Sequence, residues 1–420
     1  MKIAVIGSGI AGLSAAWLLS REHRVTLFEK SQRLGMDAHS IDIECSNENI
    51  RIDVPLRVFF DGFYPNLTAL YKALGIKSEP INYSASFGLL DDRTYFRYDN
   101  YKLGPYALPF LKGPRAVNLS AVRIGWEIMR LFRRLPKSLA AGIADDLTLA
   151  AYLEQQKFSK KFAEGFLYPA FCGICTCSLE RIKNYPARII LEYLNSQLLF
   201  SSVRRVTQGT QQVVQQLAKN VHEIHLNTSV VQVTSTKAGA VVMTPKATMA
   251  FDHVVLATQA NQSKKLLEDT AVVEREILSA FSYEHSLVVV HRDTRLAPPG
   301  NQGQWAPVNF LLKDLRRAPM ATIWMNAIQD LPDQDHLFQT WNPIIDPDPK
   351  LVLAESEFER PLVSAESLNA LKHLEHLHSQ PDRRIWFCGS YAAHGIPLLE
   401  SATHSAMSVA ERLGSRRPWP

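Results

Sequence analysis

The sequence predicts an α/β protein: a Rossmann-like dinucleotide-binding domain with an α+β second domain interleaved into it. Three observations carry that expectation. The segment from Lys2 to Glu29 reads as a buried strand, a glycine turn, a helix and a second strand. Its turn is Gly7-Ser8-Gly9-Ile10-Ala11-Gly12, and an acid, Glu29, closes the second strand. Near the other end, Arg384-Ile385-Trp386-Phe387-Cys388-Gly389-Ser390 again runs a strand into a small-residue turn, with a helix beyond it.

Each residue of the first motif has a physical task. Gly7 allows the tight turn out of the strand, Gly9 lets the backbone approach a pyrophosphate, and Gly12 lets the helix pack closely on the sheet. Free N–H groups at the helix N-terminus then face the phosphates. Glu29 stands where an acid accepts the ribose hydroxyls of an adenine dinucleotide. The basic, then apolar, start also resembles a secretory signal, but three glycines in the apolar stretch and direct continuation into strand residues argue against one.

Bulk properties bound the rest. A chain of 420 residues that is 46% hydrophobic can bury a large core and is long enough for two or more domains. The net charge of +5 comes without a long basic run, so nucleic acid is not called for, while acidic ligands or an anionic membrane surface are tolerated. No apolar stretch approaches the roughly 20 residues of a membrane span. Five cysteines without a disulfide framework suit a reducing, cytoplasmic setting.

Along the chain, Ile41–Ile43 and Ile50–Asp53 read as a hairpin around the polar turn 46–49, and a helix is expected from Pro65 to Leu74. Tyr83, Phe87, Tyr95, Phe96, Tyr98 and Tyr101 alternate with polar residues, as in strands that line a pocket. Residues 115–200 turn helical. There Leu119, Val122, Trp126, Met129 and Phe132 keep near-helical spacing with Arg123, Arg130, Arg133 and Arg134 between them. That face reads either as packed on its own domain or as touching a membrane or lipid substrate. A helix is expected over 209–217, one strand over 225–233, another over 252–258, strands near 286–290 and 322–325, and a last helix over 401–413.

Beyond the glycine turn lie further residues with a recognisable pattern. The block from Ile3 to Gly35 resembles the FAD-binding half of the flavin amine oxidase, phytoene desaturase and protoporphyrinogen oxidase superfamily, whose cofactor domain is of the GR2 type. There the fingerprint is followed by a glutamate, an arginine and a glycine pair; Glu29, Arg33 and Gly35 match, and Met36 stands in place of the second glycine. Val230 resembles the valine whose backbone contacts adenine, and Asp252–Thr258 resembles the superfamily's Asp-x-Val-Val-x-Ala-Thr strand. Gly389-Ser390 resembles a Gly-Asp pair at the ribityl phosphate, with serine for aspartate, and Glu400–Ala406 resembles the Glu-Gly-Ala helix start, with both glycines replaced. A narrower likeness, through Asp53–Phe60, Tyr64–Leu67 and Phe387–Gly389, is to uncharacterised NAD/FAD-binding amine-oxidase-like proteins. The resemblance spans the chain in order. It implies FAD as cofactor, held by Gly7, Ser8, Gly9, Ile10, Ala11, Gly12, Glu29, Lys30, Arg33, Gly35, Met36, Val230, Gly389, Ser390, Glu400, Ser401 and Ala402. It also implies an FAD domain built from 1–80, 200–265 and 380–420, with a substrate domain from 81–199 and 266–379.

In this superfamily the flavin accepts a hydride, so few catalytic side chains are expected. Arg57 is a candidate to stabilise negative charge on reduced flavin or a substrate carboxylate, or else a structural partner of Asp53 or Asp61. Tyr391 and His394 lie between the two C-terminal blocks and are candidates to line the active site, with Asp37 and His39 behind them. Cys172, Cys175 and Cys177 read as buried packing rather than a metal or redox site, since no second paired motif supplies a fourth ligand. The expected activity is an FAD-dependent oxidation, a desaturation or an amine-type oxidation, of a largely apolar small molecule such as a lipid or polyene. A flavin-dependent double-bond isomerase and a non-catalytic binder resembling GDP-dissociation inhibitors are the alternatives.

Overall fold

A computed structural model describes residues 1–45, 48–90, 94–103, 106–111, 118–196, 201–300, 302–315, 319–331 and 336–419. Five short strands form a parallel sheet in the order Glu223–His225, Arg24–Phe28, Lys2–Ile6, His253–Leu256, Ile385–Phe387. Lys2–Ile6 and Arg24–Phe28 are buried in all but their first residues, as a parallel sheet covered on both faces requires. The helix Ile10–Leu19 is buried almost all round, and the C-terminal helix Leu399–Arg412 packs along it. The two ends of the chain therefore meet in one layer.

The strand expected over 225–233 is two strands. Asn227 takes a left-handed φ of 50°, which asparagine tolerates, and the chain turns there. Glu223–His225 stays in the parallel sheet, whereas Gln232–Thr236 starts a separate antiparallel sheet with Gly239–Met243 and Thr248–Phe251. The hairpin Ile41–Cys45 with Glu48–Ile52 forms, its turn centre lying outside the described residues. Helices Pro65–Ala73 and Gly209–Ala218 lie where the spacing places them.

An eight-stranded sheet makes up the second layer: Val352–Pro361, Tyr283–His291, Phe338–Trp341, Met320–Trp324, Val308–Leu312, Ala85–Leu89, Thr94–Leu103, Tyr106–Leu111. Its central strands are buried on both faces, so their polar residues must satisfy one another. Ser86 donates to the side-chain oxygen of Asn309, whose amide donates to the Thr322 carbonyl; Thr322 and Thr340 share a 2.9 Å hydroxyl contact, and His291 Nε2 meets Thr340 at 2.7 Å. Each bond joins neighbouring strands, so the ladder fixes register at the middle of the sheet. Helices between Leu119 and Asn195 cover one face, and Gly173 lets the helix Tyr168–Cys175 approach Phe310, where a Cβ would fall at 2.7 Å.

Candidate active site

A cavity of ≈ 410 Å³ opens where three parallel strands end. Gly9, Ile10 and Ala11 follow the first strand, Ala257–Gln259 the strand His253–Leu256, and Gly389–Tyr391 the strand Ile385–Phe387, and all of them line it. Ligands of open parallel sheets bind at such a carboxyl edge.

The glycines divide into two kinds. A Cβ on Gly12 would lie 1.9 Å from the Gly7 carbonyl oxygen, and one on Gly35 would lie 2.3 Å from that of Ser8. These two are dictated by backbone packing. Gly9 is different, because a Cβ there would meet nothing within 4 Å. It faces the cavity, on the side where a ligand's backbone contact needs room.

Two helices begin at this cavity. Gly9 precedes Ile10–Leu19 and Leu398 precedes Leu399–Arg412, and neither N-cap offers a side-chain hydrogen bond. Their first N–H groups are left for an anion, and both dipoles favour negative charge. A pyrophosphate-bearing dinucleotide fits this cradle by its donor set.

The residues expected to meet adenosine are more mixed. Glu29 is buried, and its carboxylate accepts from the Ser8 N–H at 3.0 Å, the Ser8 hydroxyl at 2.5 Å and the Ser31 N–H at 2.9 Å. About one acceptor position of the carboxylate is left for a ribose. Val230 is a half-buried edge residue whose N–H makes no hydrogen bond among the described residues; nearby, Thr228 N–H donates to the Glu29 carbonyl. Lys30 and Arg33 are exposed. Met36 is buried in the core and does not reach the cavity.

At the C-terminal block, Ser390 and Ala402 line the cavity, and Ser405 brackets Gly389 by accepting from its N–H at 3.0 Å and donating to its carbonyl at 2.9 Å. Ser401 donates to the Ile396 carbonyl. Glu400 turns away from the cavity: it accepts from Asn66 N–H, Asn66 Nδ2 and Leu67 N–H, and so caps the helix Pro65–Ala73.

The structure separates the catalytic candidates. Arg57 lines the cavity, and its guanidinium donates to the Pro55 carbonyl at 3.2 Å. Neither carboxylate expected as its partner pairs with it. Asp53 instead accepts from the backbone and hydroxyl of Thr210. Tyr391 lines the cavity edge-on to Phe281, and burial pushes its phenol well above the usual value. His394 lies outside the cavity, half exposed, 2.6 Å from Glu192. Asp37 is held by Arg51 at 2.7 Å, and His39 packs edge-on against Phe358. Cys172, Cys175 and Cys177 are buried among apolar side chains, with the Cys172 thiol pushed up mainly by burial.

Sequence reasoning missed the opposite wall. Tyr64, Tyr193, Tyr283, Trp341, Phe358 and Arg360 face the same space. Sheet register brings Tyr283, Trp341, Phe358 and Arg360 there and helix packing brings Tyr64 and Tyr193, and no local pattern in the sequence marks them as one wall. Burial pushes Tyr83 up to about 12 and holds Tyr64 and Tyr193 above their usual value, so these phenols stay protonated near neutrality. Among the described residues no histidine, lysine or aspartate lines the cavity.

A second cavity, ≈ 150 Å³, continues from the first, with which it shares Tyr83, Gly173, Ile174, Val203, Ile323 and Trp341. Its walls are apolar and aromatic: Phe87 and Phe310 stack at 4.8 Å, Phe166 and Phe171 join them, and Ile128, Leu131 and Phe132 close it from the helix Leu119–Ala140.

Known proteins are consistent with this geometry. The fold is shared with the CLA-producing fatty acid isomerase from P. acnes, at 15% identity and a TM-score of 0.69 over 97% of this chain and 98% of that one. It is shared with an oxidoreductase from Methanosarcina mazei, at 13% identity and 0.67 over 98% and 100%. Cyclohexylamine oxidase from Brevibacterium oxydans matches at 13% identity and 0.64 over 98% and 99%. No curated protein matches the sequence. Residues 10–330 match the family described as flavin containing amine oxidoreductase. With a two-helix anion cradle at the carboxyl edge of its parallel sheet, the chain belongs to that family and is an FAD-dependent oxidoreductase.

Proposed function

We propose that this enzyme oxidises a C–H bond of a largely apolar small molecule, of lipid or polyene type. One observation carries the reading: the cavity at the cofactor edge opens into a second one walled by apolar and aromatic side chains. In this reading 1–80, 200–265 and 380–420 form the FAD domain, and 81–199 with 266–379 form the substrate domain. Gly9, Ile10, Ala11, Gly389, Ser390 and Ala402 hold the cofactor, and Glu29 and Val230 take its adenosine end. Bound FAD supplies the hydride acceptor. The protein's part is to position the substrate and keep water out, and cavity walls without a histidine or lysine among the described residues suit that task.

An apolar substrate also needs a route from a lipid phase. The helix Leu119–Ala140 closes the second cavity with one face, and on the other it exposes Leu119, Val122, Trp126 and Met129, with Arg133 next in the same stripe. Tyr101, Leu108 and Phe110 are exposed on the nearby hairpin. We read this patch as the contact with an anionic membrane surface.

The test is the flavin's visible absorbance in the purified, FAD-reconstituted protein under anaerobic conditions. Bleaching by long-chain unsaturated lipids or polyenes, and not by small amines, is the expected result. Bleaching by amines alone overturns the proposal. The fatty acid isomerase among the structural neighbours favours a second reading, and product of unchanged oxidation state formed without an acceptor selects it.

A further inference from the structure

Two cations share the cavity, and neither has an acid. Arg57 makes its hydrogen bond to a backbone carbonyl, and Arg360 lies over the Trp341 ring at 5.5 Å with its Nε buried and without a hydrogen-bond partner. Neither pairs with a carboxylate within 4 Å among the described residues. The carboxylates nearest Arg57 are already engaged, Asp53 by Thr210 and Asp37 by Arg51. Glu359 lines the cavity but accepts from Asn261 and contacts His285. Burial lowers Arg57 and, with Arg57 beside it, brings Arg360 down to about 10, and a guanidinium keeps its charge in a protein at neutral pH. A buried charge without a counter-charge is costly, and besides Glu359 the polar side chains on the walls are neutral: the phenols with Thr176, Thr258, Gln259 and Ser390.

An anionic ligand resolves this arrangement. Guanidinium groups match the two oxygens of a carboxylate, and the apolar second cavity begins beside Trp341, the ring on which Arg360 rests. We infer that Arg57 and Arg360 clamp the head group of a long-chain carboxylate whose tail lies along the second cavity. The inference rests on the proposed apolar substrate and adds its head group. It also sets a preference against amines, since a protonated amine would face two arginines.

The probes are oleate, methyl oleate and oleylamine, titrated into the FAD-loaded protein by perturbation of the flavin spectrum and into the FAD-free protein by thermal shift. Oleate is expected to bind at least about tenfold more tightly than its ester, the worth of one charge-assisted hydrogen bond. Oleylamine is expected to bind more weakly than either. Arg57→Gln and Arg360→Gln are each expected to weaken oleate by about tenfold or more and to leave methyl oleate unchanged. Equal affinity for oleate and methyl oleate overturns the inference, as does loss of FAD rather than of oleate in both variants, which would assign the arginines to the cofactor. If the protein takes up no FAD, the proposed oxidation fails. The oleate and ester comparison in the FAD-free protein still decides the clamp.

Discussion

At the scale of single residues, the glycine turn separates structure from ligand binding. Gly9 has φ −61° and ψ 177°, angles open to any residue, and its missing Cβ faces empty space. Gly9→Ala is therefore expected to leave the FAD-free protein as stable as before, or firmer by about 0.4–1 kcal/mol through the unfolded chain. It should weaken FAD by about tenfold or more, since the methyl enters the space of a close phosphate contact. Gly12→Ala puts a methyl 1.9 Å from a backbone oxygen. It should cost more than about 2 kcal/mol with or without FAD, because neither segment can give way. Urea unfolding of the FAD-free variants, with FAD titration, separates the two. A Gly9→Ala protein that binds FAD normally would remove the assignment of Gly9 to the phosphates.

At the scale of elements, the helix Leu119–Ala140 serves two faces. Ala121, Ile124, Leu131 and Leu135 are buried, and Glu127 faces inward to accept from the backbone and hydroxyl of Ser159. The opposite stripe is exposed, Leu119 at 92% and Trp126 at 62%. Because that stripe is exposed, with only Arg130 over the Trp126 ring among the described contacts, Leu119→Ser with Trp126→Ser should change stability by less than about 1 kcal/mol. Co-sedimentation with phosphatidylserine-containing vesicles should nonetheless fall about tenfold or more, the loss of two apolar anchors. Arg133→Gln should remove about 1 kcal/mol of salt-sensitive binding. Undiminished sedimentation of the double variant would show that the patch is not the membrane contact.

At the scale of the whole molecule, two buried histidines, one at each large sheet, set the acid limit. His378, on the helix Ala365–His378, accepts the Phe387 N–H of the parallel sheet at 3.1 Å, and burial holds it down to about 3. His291 joins the polar ladder of the eight-stranded sheet and is held down to about 4 by burial. Both are neutral when folded and titrate near 6.5 when unfolded. Their effect is absent above about pH 6.5, and stability falls with pH below that value, because the unfolded chain takes up protons that the folded one refuses. At pH 5 the two together should cost about 4 kcal/mol relative to pH 7.5. Arg295 holds Asp293 near 2, so its loss belongs to a more acid range. Urea midpoints across pH 7.5 to 5 check this, and His378→Gln should roughly halve the slope. A flat profile over that range would contradict the buried neutral state.

The sequence by itself determined the strand, glycine turn and helix start at the carboxyl edge of the parallel sheet, because their signals are local. A strand, a turn needing glycine and a helix start are neighbours along the chain, and Gly7 takes the positive φ of 96° that the turn requires. The same holds for the helices at 65 and 209 and for the aromatic strands, whose periodicity is a property of adjacent residues. Only the tertiary structure decided the opposite wall of the cavity. Arg360, Trp341, Tyr193 and Tyr283 come from separate segments and share one cavity through sheet register and helix packing. It decided partners as well: Asp53 and Asp37 are engaged elsewhere, Glu400 caps a distant helix, and His394 faces Glu192 outside the cavity. Spacing along a chain fixes what a residue can donate or accept. Which group stands opposite depends on how far-separated segments pack, and that is why Arg57 was visible in the sequence while its want of a carboxylate was not.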